Sequence, residues 1–209
     1  MTEPLEHLVR PAAGEPAGAL VLLHGRGASM HDLSPLLDLL DPERRLLGVA
    51  PQGPLALPPG GWHWYRLAGI PTPDPATFHA TLPRLHAFLD GLPVPRERIV
   101  LGGFSQGAVM SWAAGLGRGA PRPAAILALS GFLPRVDGFD LDLDGLDGYP
   151  VGIAHGTHDP VIAAAFGREA RDVLAAAGAD VRFLETPYPH AVDPAVLPAL
   201  AELVRQAVP

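Results

Sequence analysis

Gly103-Phe104-Ser105-Gln106-Gly107 is where residue types and spacing point most directly to chemistry. A G-x-S-x-G pentapeptide presents its serine hydroxyl when a strand runs into it and a helix leaves it. Both flanks read that way: Arg98–Leu101 (RIVL) is a short apolar strand, and Gln106–Leu116 (QGAVMSWAAGL) a helix. On such a turn Ser105 projects above a sheet at a helix N-terminus, whose partial positive charge favours an oxyanion. Gly103 and Gly107 are small enough to let strand and helix approach closely. The competing reading is an ordinary Gly-rich turn with a serine cap.

A serine hydroxyl needs a base to become a nucleophile, usually a histidine oriented by a carboxylate. After an elbow serine the expected chain order is acid, then histidine. Three histidines follow Ser105: His155, His158 and His190. The first two crowd the acid candidate, so His190, between the strand Asp180–Leu184 and the last helix, is the expected base. Asp159, in the turn after the strand Tyr149–Ala154, is the expected acid; the alternative is a turn aspartate before proline. His158 is a neighbour without an assigned role, and a loop zinc site from His155, His158 and Asp159 stays open as the lesser reading. An oxyanion hole needs two preorganised N–H groups. Gln106 is expected to supply one, and Arg26, in His24-Gly25-Arg26-Gly27, the other.

These groups must be carried by elements that end at one edge. Apolar strands (Ala19–Leu23, Arg45–Ala50, Arg98–Leu101, Ala124–Leu129, Tyr149–Ala154, Asp180–Leu184) alternate with helical segments (His31–Leu40, Phe78–Leu89, Gln106–Leu116, Ile162–Ala177, Asp193–Ala207). That alternation implies βαβ units: an α/β fold with a mainly parallel central sheet and helices on both faces. Residues 1–209 are expected to form a single domain. The 24 Gly and 25 Pro read as turn-makers around one core. Residues 55–75 form a long Pro/Gly-rich loop holding Trp62, Trp64 and Tyr65. The acyl pocket is expected from Trp64, Tyr65, Leu67, Ile70, Phe132 and Leu133. The acidic stretch Asp137–Asp147 opens like a calcium loop at Asp140, Asp142, Asp144 and Gly145, but Val151 stands where the bidentate glutamate belongs; a solvated loop is the preferred reading.

Composition excludes several classes. With no cysteine there is no disulfide, thiolate metal site or cysteine nucleophile. All 15 basic residues are arginine, which excludes a lysine Schiff base and a Walker-type phosphate loop. A net charge of −7 argues against nucleic acid as a partner. The N-terminal residues lack the apolar core of a signal peptide, and no apolar run approaches a membrane span. The expectation is a cytoplasmic protein without stable membrane insertion.

Together the motifs resemble the small carboxylesterase/phospholipase branch of the α/β-hydrolase superfamily, which contains acyl-protein thioesterases and lysophospholipases. Leu23–Ser29 (LHGRGAS), Ala50–Pro54 (APQGP), Gly60–Tyr65 (GGWHWY), Gly103–Ala108 (GFSQGA), Leu129–Pro134 (LSGFLP), His155–Val161 (HGTHDPV) and the late His190 occur in that branch's order. The resemblance implies Ser105, Asp159 and His190 as triad, N–H donors from Arg26 and Gln106, no metal or organic cofactor, a small-molecule ester substrate and a homodimer. Two positions depart from it: Arg26 stands where eukaryotic thioesterase members usually carry leucine, and Ala28-Ser29 where aspartate is usual. With a short chain and a minimal lid, these departures favour esters of small or medium acyl length over thioesters or lysophospholipids. A noncatalytic binding protein on the same fold is the reading from another class.

Overall fold

The computed structural model describes residues 4–209. Residues 1–3 of the N-terminal stretch read above lie outside it. In chain order the elements are β1 (His7–Arg10), β2 (Ala19–Leu23), α1 (Ser34–Leu40), β3 (Leu47–Pro51), β4 (Leu55–Ala56), β5 (Trp62–His63), α2 (Pro75–Asp90), β6 (Ile99–Phe104), α3 (Gln106–Leu116), β7 (Ala125–Leu129), β8 (Pro150–Gly156), α4 (Ala164–Ala176), β9 (Asp180–Thr186) and α5 (Leu197–Ala207). Seven strands pair in the order β1-β3-β2-β6-β7-β8-β9. All neighbours run parallel except β1, which pairs antiparallel with β3 at one edge.

The central strands are apolar at every position because both faces are covered. On one face Val21, Leu23 and Leu101 pack with Phe78 and Leu85 of α2 and Val109 and Met110 of α3. Further along that face Ile126, Ile153 and Trp112 meet Ala170 and Leu174 of α4. On the other, Leu20, Leu22 and Leu127 pack with Leu37 and Leu40 of α1 and Leu200 and Leu203 of α5. Helices therefore lie on both faces, as the strand–helix alternation implies.

Several boundaries move. α1 starts at Ser34 rather than His31, with Pro35 in its first turn; residues before it form a turn closed by Asp32 N–H donating to Ser29 O. β6 runs on to Phe104, directly against Ser105. The expected loop over 55–75 contains the antiparallel pair β4–β5. Asp193 caps the closing segment, its Oδ1 accepting from Ala195 N–H at 2.9 Å, but the first turn, Pro194–Val196, is a 3₁₀ turn.

Candidate active site

Ser105 joins β6 to α3 with φ 55° and ψ −117°, a conformation that costs a non-glycine residue roughly 1–3 kcal/mol. Surrounding contacts impose it. Ser105 N–H donates to Leu129 O at 2.9 Å. A Cβ on Gly107 would lie 1.9 Å from Leu23 O, and one on Gly103 2.4 Å from the Gly107 carbonyl carbon. Glycine at both positions is thus what lets α3 press against the ends of β2 and β6.

Three loops leaving the sheet's C-terminal edge converge here. His190, after β9, places Nε2 3.1 Å from Ser105 Oγ and Nδ1 2.6 Å from Asp159 Oδ2. Its ring packs on Phe104, centroids 4.7 Å apart. Asp159, after β8, has a fully buried side chain whose Oδ1 accepts from Val161 and Ile162 N–H, each at 2.8 Å. With Nδ1–H donating to this carboxylate, a neutral His190 turns the lone pair of Nε2 towards Ser105.

His155 is buried beneath this group. Its Nε2–H donates to Ile162 O at 2.9 Å, with Asp159 Oδ2 at 3.6 Å, and burial holds its pKa below the ordinary imidazole value. His158 is exposed and ties its loop to the next through N–H donation to Tyr188 O at 3.1 Å. His155 Nε2 thus carries a proton shared with a carbonyl. Among the described residues no group of three or more His, Asp or Glu could hold a metal ion. In the acidic stretch Arg122 donates to the carbonyls of Asp142, Asp144 and Gly145, which ties the loop to the segment before β7.

The loop after β2 is held by side chains that its spacing alone does not reveal. His24 Nδ1–H donates to Gly25 O at 2.7 Å, while Nε2 accepts from Gly53 N–H at 2.9 Å and from Gln52 Nε2 at 3.0 Å. This fixes the neutral tautomer, and burial lowers the His24 pKa. Trp64 Nε1–H donates to His24 O at 2.8 Å. Gln106, buried at the head of α3, accepts from Trp64 N–H at 3.1 Å and donates to Tyr65 O at 2.9 Å. The backbone N–H groups of Arg26 and Gln106 make no hydrogen bond among the described residues.

Ser105 and His190 open into a cavity of about 280 Å³. Of the expected pocket residues, Tyr65, Leu67, Ile70 and Phe132 line it. Trp64 and Leu133 do not: the Trp64 indole is drawn into the core by its bond to His24 O, and Leu133 packs with Ala108 and Trp112. Arg26 and Gln106, expected above as N–H donors, line it too, as do Val161 and Ile162, which the expected pocket lacked. A larger cleft of about 350 Å³ by the ends of α2 and α3 contains no serine–histidine pair.

The model of the phospholipase/carboxylesterase family matches residues 6–207. The chain belongs to this family. Its relatives include acyl-protein thioesterase 1 of Gibberella zeae, 29% identical over 97% of this chain and 95% of that protein. Acyl-protein thioesterase 1 of Mycosarcoma maydis is 37% identical over 58% of this chain and 52% of that protein. The Bacillus cereus carboxylesterase structure superimposes with a TM-score of 0.84 and 25% identity, covering 97% of this chain and 94% of that one. The fold is that of the α/β-hydrolases, and this member of the phospholipase/carboxylesterase family is an ester hydrolase.

Proposed function

We propose that the protein hydrolyses carboxylic esters of small or medium acyl length through Ser105, His190 and Asp159. The chain of contacts from Asp159 Oδ2 through His190 to Ser105 Oγ, at 2.6 and 3.1 Å, carries this reading. Ser105 Oγ attacks the carbonyl carbon as its proton passes to His190 Nε2. The carbon–oxygen bond to the alcohol breaks, and His190 returns the proton to the leaving oxygen. Water then attacks the acyl-enzyme, its proton passing to Nε2, and Ser105 leaves with that proton. Asp159 holds the tautomer and stabilises the imidazolium. Arg26 and Gln106 N–H groups receive the oxyanion, each lowering the barrier by about 3 kcal/mol. The cavity of about 280 Å³ lies at the lower end of small-molecule sites, roughly 300–1,000 Å³, which fits short acyl chains.

A thioester substrate is the second reading, favoured by the relatives named acyl-protein thioesterase 1. The same steps apply with a thiolate leaving. A serine-directed organophosphonate should label the wild type and not Ser105→Ala; equal labelling of both refutes the nucleophile. Rates on p-nitrophenyl esters of increasing chain length, long-chain acyl thioesters and lysophospholipids then rank the substrate classes.

A further inference from the structure

Arg26 lines the same cavity as Ser105 and His190, at its solvent-exposed edge. It is exposed and makes no hydrogen bond or ion pair among the described residues. Several arginines elsewhere in the chain sit against carboxylates, as Arg10 does with Asp41 at 2.8 Å and Arg96 with Asp90 at 2.9 Å. No Asp or Glu lines the cavity, and the Asp159 side chain is wholly buried behind His190. His63 is held below its ordinary value first by burial, then by the charges of Arg26 and of Arg66, the latter beside Asp74. Three apolar side chains line the cavity and stay exposed: Leu67 (47%), Ile70 (41%) and Val161 (53%). The mouth thus combines an apolar wall with one permanently charged group, and that group is a cation on a protein of net charge −7.

We propose that Arg26 selects esters carrying an anionic group, a carboxylate or a phosphate, close to the scissile carbonyl, with the apolar remainder against Leu67, Ile70 and Val161. The proposal rests on Ser105 being the nucleophile of this cavity. An unpaired guanidinium offers a fork of donors that matches either anion, and its attraction is screened by salt. A cation that merely steadied the oxyanion would speed neutral and anionic esters alike, so the ratio of the two separates the roles.

The test compares kcat/KM for matched anionic and neutral esters in wild type, Arg26→Gln and Arg26→Lys. The carboxylate arm pairs 4-nitrophenyl hydrogen glutarate with 4-nitrophenyl hexanoate. The phosphate arm pairs 4-acetoxyphenyl phosphate with 4-acetoxyanisole. In at least one arm, Arg26→Gln should lower the anionic-to-neutral ratio about tenfold, and Arg26→Lys should hold it within about threefold. The wild-type ratio in that arm should also fall as salt rises to about 0.5 M. The proposal is overturned if both ratios stay within about twofold in Arg26→Gln, if Lys loses as much as Gln, or if the wild-type ratio ignores salt. Neutral esters cleaved with flat ratios sink only the role of Arg26. Wild-type protein that cleaves no ester sinks the serine-hydrolase reading with it.

Discussion

Asp159 uses its two carboxylate oxygens differently. Oδ1 is held by the Val161 and Ile162 N–H groups, and Oδ2 faces His190 Nδ1 at 2.6 Å. In Asp159→Asn the amide oxygen can keep the first pair of bonds, while its N–H₂ confronts His190 and forces the tautomer that cannot accept a proton from Ser105. Turnover on a p-nitrophenyl ester should fall by about 10⁴ with the circular-dichroism spectrum unchanged; a loss under about tenfold would point to another acid. That Asp159 and His190 would meet beside Ser105 was readable because strand ends and chain order leave few alternatives. Trp64 and Tyr65 were not separable, since adjacent aromatics look alike until one finds a partner. The indole N–H reaches His24 O and leaves the cavity, while Tyr65 stays on its wall. Val161 and Ile162 were overlooked as pocket residues although they stand two and three places after Asp159: their N–H groups serve the carboxylate and both residues line the pocket.

At the scale of elements, the head of α3 is clamped to the segment after β5 by one side chain. Gln106 accepts from Trp64 N–H and donates to Tyr65 O, both buried. Gln106→Leu keeps the volume and leaves both backbone groups unsatisfied. It should cost roughly 3 kcal/mol in urea unfolding, and ester turnover should fall because the wall of the cavity loosens. Wild-type stability in this variant would show that the clamp is dispensable. The central strands were readable from composition, since ALVLL and AILAL suit a sheet covered on both faces. β1 was not: HLVR is four residues at an edge, with an exposed–half-buried alternation too short to stand out. β4 and β5 have two residues each and exist through pairing and a bridge from Ala28 to Trp62, which no local pattern encodes.

Across the whole molecule, acid acts through histidines that folding keeps neutral. His24, His86 and His155 have pKa values lowered from 6.5, chiefly by burial. The unfolded chain therefore binds more protons below 6.5, so stability rises with pH through this range. Their contribution is complete above about 6.5 and is lost as pH falls through the depressed folded values. Asp74 and Glu202, lowered mainly by hydrogen bonds from Thr77 and Arg205, act in the same direction at lower pH. The urea midpoint should decline steadily from pH 7 to 5, and His24→Gln should flatten that decline. A midpoint independent of pH over this range would contradict the account.

The backbone at Ser105 sets turnover against persistence of the fold. Glycine accepts φ 55° freely, whereas alanine inherits the serine's strain. Thermal unfolding should find Ser105→Gly more stable by about 1 kcal/mol, with Ser105→Ala close to wild type. A library of variants screened only for soluble expression would drift towards glycine at this position. With Ser105 as the proposed nucleophile, serine survives there only under a demand for chemistry, which would make position 105 a recorder of whether a lineage still uses its enzyme.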